Sequence, residues 1–114
     1  MAVRQTDLLQ GTLDLLVLKS LSTAPNHGYG IATRIHQLSE DVLRIEEGSL
    51  YPALYRLEEQ GLVESEWRTT DNNRKAKFYK LTRKGRAASQ AEVESWLRLS
   101  KAIDRVLRAI EQGA

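Results

Sequence analysis

Apolar residues recur at helical spacing in three segments in the first half of the chain. They predict helices over residues 12–22, 29–38 and 47–60. The first segment is apolar almost all round and should be buried, whereas the apolar stripe of the second is narrow. Pro52 places the start of the third helix close to Ser49, and Gly61 should end it as a left-handed cap. A loop over residues 23–28 and a short extended piece over residues 42–45 join the three helices.

An alternating pattern follows the third helix and predicts a hairpin. Its strands fall near residues 63–67 and 76–81, and turn-forming residues 71–73 join them. The last segment, residues 83–111, predicts one long helix with a heptad seam. Its seam residues are Trp96, Leu99, Ile103, Val106 and Ile110. One isolated helix cannot bury such a seam, so it must fold back on its own domain or pair with another chain.

Three helices followed by a hairpin is the order of elements in a winged helix-turn-helix. The sequence therefore predicts a mainly α protein with a small β-hairpin. Residues 1–82 would form a winged helix-turn-helix DNA-binding domain and residues 83–114 a C-terminal dimerisation helix. A chain of 114 residues suits one core with one appended element.

The composition is that of a folded domain, with 41% hydrophobic and 28% charged residues. The chain has no cysteine, which removes disulfides and thiolate metal sites and fits a reducing compartment. The most apolar run, residues 13–18, is too short for a membrane span. We therefore expect a cytoplasmic protein that does not enter a membrane.

Charge is distributed unevenly along the chain, although the net charge is only +2. Residues 40–66 hold eight acids and two bases, whereas residues 68–86 hold eight bases and one acid. A basic hairpin is placed to contact DNA phosphates, and Arg74, Lys75 and Lys77 are the candidates. The alternative is an ordinary solvated hairpin, because surface charge is common.

Four residues of the third helix lie off its leucine stripe and are candidates for contact with the major groove: Ser49, Tyr51, Tyr55 and Arg56. Each has a structural alternative. Ser49 could cap the helix, the two tyrosines could pack on each other, and Arg56 could pair with Glu59.

Catalytic and cofactor chemistry finds no support in the sequence. Only His27 and His36 are present, without a spacing suited to zinc, and His27 is expected to pack before the second helix. Gly28 and Gly30 match the opening of a dinucleotide fingerprint, but Thr33 occupies the place of its third glycine. We expect no enzyme activity, no cofactor and no metal.

Four motifs resemble the PadR family of transcriptional regulators over residues 11–85. They are GTLDLLVLKSL, HGYGI, GSLYPALYRLEEQGLVE and KFYKLTRKG. The third is the most specific, because a Tyr-Pro pair opens the recognition helix and Gly-Leu-Val closes it. The resemblance implies a twofold dimer, with double-stranded DNA contacted by the third helix and the wing. Ser49, Tyr51 and the wing bases inherit the DNA role by motif.

The single C-terminal helix resembles the short subfamily of PadR regulators. The dimer interface would then include Leu13 and Leu16 of the first helix and Leu107 beside the seam. In that subfamily the interface can enclose a small planar or apolar effector, so Trp96 is a candidate for stacking on it, although dimer packing is the simpler role. Family habit favours repression over activation. The alternative function is a winged-helix module that binds only proteins.

Overall fold

The computed structural model describes residues 3–4 and 10–113. The elements of the described residues, in chain order, are β1 (Val3–Arg4), α1 (Gln10–Ser20), β2 (Asn26–His27), α2 (Gly28–Leu38), β3 (Leu43–Arg44), α3 (Glu47–Glu59), β4 (Val63–Thr69), β5 (Lys75–Leu81) and α4 (Arg83–Glu111). Helices α1 to α3 pack against one another, and β4 and β5 form an antiparallel hairpin that follows them. This arrangement is a winged helix-turn-helix with a long C-terminal helix, and it confirms the predicted fold class.

Aliphatic side chains from α1, α2 and α3 form most of the core, with Val63, Tyr79 and Leu81 of the hairpin packed against them. Leu18, Ile31, Leu50 and Leu54 are each at most 2% exposed. Helix α1 is buried on several sides, as its apolar sequence predicts, although it begins and ends two residues earlier than expected. Burial of each such side chain is worth roughly 1.5 to 3 kcal/mol, so the core is the main source of stability.

The end of α3 is fixed by a left-handed glycine, as predicted. Gly61 has φ of +74°, and its amide donates to the Glu58 carbonyl at 3.0 Å. The amide of Leu62 donates to the Leu57 carbonyl at 2.9 Å, which completes a Schellman motif. The chain therefore turns sharply from α3 into β4.

Helix α4 starts against this same turn. Thr82 caps the helix by accepting a hydrogen bond from the Gly85 amide at 3.0 Å, and its hydroxyl donates to the Gly61 carbonyl at 2.6 Å. A Cβ atom on Gly85 would lie 1.9 Å from the Leu62 carbonyl oxygen. Only glycine leaves room for the first turn of α4 to approach the chain so closely.

The sheet has three strands in the order β2-β5-β4, one more than the sequence predicts. Residues 26–27, expected within a loop, pair antiparallel with β5, Asn26 with Tyr79 and His27 with Phe78. This expectation was wrong because the strand has only two residues and depends on a partner distant in sequence. A second short pairing joins β1 to β3 in parallel.

Helix α4 has the predicted bounds, and its buried residues lie in its first turns. Gly85 and Ser89 are buried, and Ala88 packs against the core. Farther along, the exposed fraction of the large apolar side chains runs from 42% at Trp96 to 64% at Ile110. Among the described residues, the seam of this helix is therefore only about half covered.

Candidate nucleic-acid interface

The exposed face of α3 carries two tyrosines. Tyr51 is 43% exposed and Tyr55 is 65% exposed, while Ser49 is partly buried. A Cβ atom on Gly28 would lie 2.8 Å from the Tyr51 ring. The missing side chain at the start of α2 therefore lets the Tyr51 ring lie directly on that helix, which fixes its position.

Tyr55 has a different neighbour. A hydrogen bond with Glu59, together with the negative charge of that residue, raises the pKa of the Tyr55 hydroxyl. Since Tyr51 lies on Gly28 and Tyr55 on Glu59, the two rings are held by separate contacts. Both side chains are exposed on α3.

Arg56 is directed to another part of the molecule. Its Nη2 atom lies 3.0 Å from Oδ1 of Asp14 on α1, so its ion-pair partner is Asp14 and not Glu59. The structure therefore does not bring its guanidinium to the surface that Tyr51 and Tyr55 share. The sequence signal for this contact was available, because Asp14 is the one charged residue that interrupts the apolar run of residues 13–18.

The hairpin holds fewer unpaired bases than its sequence suggests. Arg68 donates from Nε to Glu66 at 2.7 Å, and this bond and charge lower the pKa of the Glu66 carboxyl. Lys80 lies 3.3 Å from Glu64, and Lys77 lies 3.7 Å from Glu58 of α3. Three of the eight acids of residues 40–66, Glu58, Glu64 and Glu66, are therefore paired with bases of the hairpin. Such exposed pairs are weak.

Arg74 and Lys75, at the hairpin tip, are exposed, and no carboxylate of the described ranges lies within ion-pair distance of either. Lys75 and Lys77 are two residues apart on β5, so both lie on the strand face that also carries Tyr79 and Leu81. Lys77 contacts Glu58 on this side, which shows that the face points toward α3. Lys75 and Lys77 therefore lie on the strand face that points toward α3, the helix that carries the two tyrosines.

Trp96 and Leu99 line a cleft between the start of α1 and the middle of α4. Its volume is about 240 Å³. Its other lining residues are Gly11, Thr12, Leu15, Glu92 and Ser95. Two of the predicted interface residues lie on α1, but Leu13 is only 5% exposed in the core of its own chain, while Leu16 is partly buried. The seam of α4 therefore offers more surface to a partner than α1 does.

His27 has a structural role. Its Nδ1 atom accepts a hydrogen bond from the Gly30 amide at 3.0 Å and caps α2, and its ring meets the edge of Phe78. Across residues 3–4 and 10–113, no three His, Cys, Asp or Glu side chains lie together as metal ligands would. Over the same ranges, none of the helices has both the length and the apolar character needed to cross a bilayer.

The three-helix core, the wing and the exposed face of α3 define a winged helix-turn-helix protein. The family of PadR-like transcriptional regulators matches residues 17–91. The chain belongs to this family, which confirms the resemblance found in its motifs. The family consists of transcriptional regulators, in agreement with the expected regulatory role.

Individual relatives agree with this assignment. A transcriptional regulator of Mycobacterium tuberculosis is 43% identical over 65 residues, which cover 57% of this chain and 59% of that protein. A PadR family transcriptional regulator from Eggerthella lenta has a similar structure, with a TM-score of 0.72 and 32% identity over 86% of this chain and 83% of that one. A PadR-like regulator from Bacillus cereus gives a TM-score of 0.75 and 27% identity, covering 88% and 95% of the two chains.

Proposed function

We propose that this chain is a homodimeric repressor that binds a pseudo-palindromic DNA operator. The observation that carries the proposal is the placement of the two α3 tyrosines near the wing face of Lys75 and Lys77. In helix-turn-helix proteins the recognition helix enters the major groove, and the wing of the winged form contacts the backbone. Residues 1–82 would then bind DNA and residues 83–114 would form the dimer.

The base-reading contacts would come from the first half of α3. Ser49 and Tyr51 lie in its first turns, nearest the groove, and Tyr55 lies one turn farther along. Phosphate contacts would come from Arg74, Lys75 and Lys77 of the wing. Lys77 would exchange Glu58 for a phosphate, which the 3.7 Å separation of that weak pair allows.

Dimerisation would proceed through the uncovered seam of α4. Six seam and flanking side chains are about half exposed in the single chain: Trp96, Leu99, Ile103, Val106, Leu107 and Ile110. Pairing with a second copy would remove this apolar surface from water. Leu16 and the small exposed part of Leu13 would lie at the edge of the interface. A dimer places two α3 helices in successive major grooves, with half-sites on the order of 10 base pairs apart.

The cleft between α1 and α4 would hold a small planar or apolar effector. Trp96 lines the cleft and offers an aromatic ring for stacking. In the proposed dimer, the α4 of the partner would lie against the same face. An effector bound there would change the relative placement of the two α3 helices and release the DNA. A regulator with this role works where the chromosome is, in the cytoplasm.

Selection of bound duplexes from a random pool by the purified protein tests this function directly. We expect a two-part inverted repeat with the stated spacing. The logarithm of the association constant should fall linearly with the logarithm of the salt concentration. A protein that retains no duplex at low salt would instead be a module for protein partners, and the DNA-binding proposal would be abandoned.

A further inference from the structure

A partly buried ion pair links α3 to α1. The side chains of Asp14 and Arg56 are only 20% and 32% exposed, and the closest atoms are 3.0 Å apart. The Nε atom of Arg56 is shielded from solvent and has no hydrogen-bond partner within the described part of the chain. The guanidinium is therefore partly buried, with its Nε atom shielded and its Nη2 atom directed at Asp14 of α1.

A third helix meets this pair. Burial raises the pKa of the Asp14 carboxyl, the charge and hydrogen bond of Arg56 lower it, and the charge of Glu92 on α4 raises it. Glu92 also lines the cleft between α1 and α4. Helix α1 packs against both α3 and α4. The three charged groups therefore lie where these three helices meet.

We propose that Arg56 is a positioning residue, whose ion pair with Asp14 fixes the orientation of α3 relative to α1 and thus to the dimer. This inference rests on the proposed DNA-binding function and reassigns Arg56 within it. The buried side chains of α3 in the core are apolar: Leu50, Ala53, Leu54 and Leu57. Such contacts are not directional, whereas a charge-assisted hydrogen bond defines one geometry.

Contact with DNA and positioning lead to different results for Arg56→Gln. Loss of a phosphate contact weakens binding to every sequence and lowers the salt slope by about one per contact. Loss of a positioning pair weakens operator binding, because the base contacts lose alignment, but leaves the salt slope and nonspecific binding unchanged. Asp14→Asn, on α1, should then have the same effect as Arg56→Gln.

The experiment measures dissociation constants for the selected operator and for an unrelated duplex at several salt concentrations. It compares the wild type, both single variants and the double variant. We expect each single variant to weaken operator binding about tenfold and the double variant to be no weaker than either one, since both remove the same pair. Arg108→Gln is the control, because it removes an exposed Arg–Asp pair on α4 at 2.8 Å.

A second measurement uses the unaltered protein, in case the variants unfold. The side-chain Nε–H signal of Arg56 in NMR spectra should be unchanged when operator is added, because the pair with Asp14 persists in the complex. The inference is overturned if that signal moves to a DNA-contact position, if Arg56→Gln alone lowers the salt slope, or if neither single variant affects operator binding. Failure of the wild type to bind any duplex would overturn the proposed function and this inference together.

Discussion

The exposed seam of α4 makes Ile103→Asp the most informative substitution. Ile103 is 48% exposed in the single chain, so a partner can bury about half of its side chain. Full burial of such a side chain is worth roughly 1.5 to 3 kcal/mol, and the remaining half contributes about 1 kcal/mol to the dimer. An unpaired carboxylate in the same place adds a desolvation penalty of about 1 to 3 kcal/mol or more.

A twofold axis puts both copies of the substitution into one interface. The dimer should therefore lose about 4 to 8 kcal/mol, and its dissociation constant should rise a thousandfold or more. Light scattering after size-exclusion chromatography at tens of micromolar should show a dimer for the wild type and a monomer for the variant. Operator binding should weaken with it, because the two half-sites are no longer read by one particle.

Lys101→Asp is the matched control. Lys101 is exposed and lies on the opposite face of α4, about 160° around the helix from Ile103. This variant should remain dimeric, and circular dichroism should show that both proteins retain their helices. An Ile103→Asp protein that still scatters light as a dimer would refute the seam as the interface.

Three further outcomes are expected. Gly85→Ala should destabilise the fold by about 1 to 3 kcal/mol or more in thermal unfolding, because the new Cβ meets a backbone carbonyl 1.9 Å away. Exchange of both Lys75 and Lys77 for Ala should weaken binding equally on all duplexes and flatten the salt slope. Arg56→Gln should raise the pKa of Asp14 further above its ordinary value of 3.8 in an NMR titration, since only raising influences remain. Because the folded state then holds this proton more tightly than the unfolded chain, stability should fall more steeply as pH rises through that range.

Each of these outcomes has a comparison. Gly48→Ala adds a methyl group where no atom lies within 4 Å, so it should not destabilise the protein as Gly85→Ala does. Lys80→Ala removes a lysine from the other face of β5, paired with Glu64, and should change the salt slope less than the wing pair. Glu92→Gln should lower the pKa of Asp14, opposite to Arg56→Gln. If neither substitution changed the pKa of Asp14, the proposed junction of α1, α3 and α4 would be contradicted.

Local sequence patterns predicted most of the fold because the patterns coincide with what the core requires. The leucine stripe of α3, the left-handed Gly61 and the period of α4 are each set by neighbours along the chain. Strand β2 depends instead on pairing with β5, more than fifty residues later, and its own residues indicate a turn. Local propensity cannot reveal such a partner.

The candidate site was only partly accessible from sequence. Exposure of Tyr51 and Tyr55 follows from their positions off the leucine stripe of α3. The partner of Arg56 does not, because it lies 42 residues away on another helix. The pairing of Lys77 with Glu58 does not follow either, because the two residues lie on different elements that meet only in the folded chain.

The close contact of Gly85 with the turn after α3 has a consequence for how operators could diverge. The first turn of α4 packs directly on the turn after α3, so the two helices are held in a fixed relation. One residue inserted just after Gly85 would rotate the apolar seam of α4 by about 100° about the helix axis. In the proposed dimer, this would misorient the α3 of the partner subunit. Lengthening the wing tip would leave α4 untouched. In the proposed dimer, the length of the wing tip can therefore change without altering the spacing of the half-sites, whereas an insertion after Gly85 cannot.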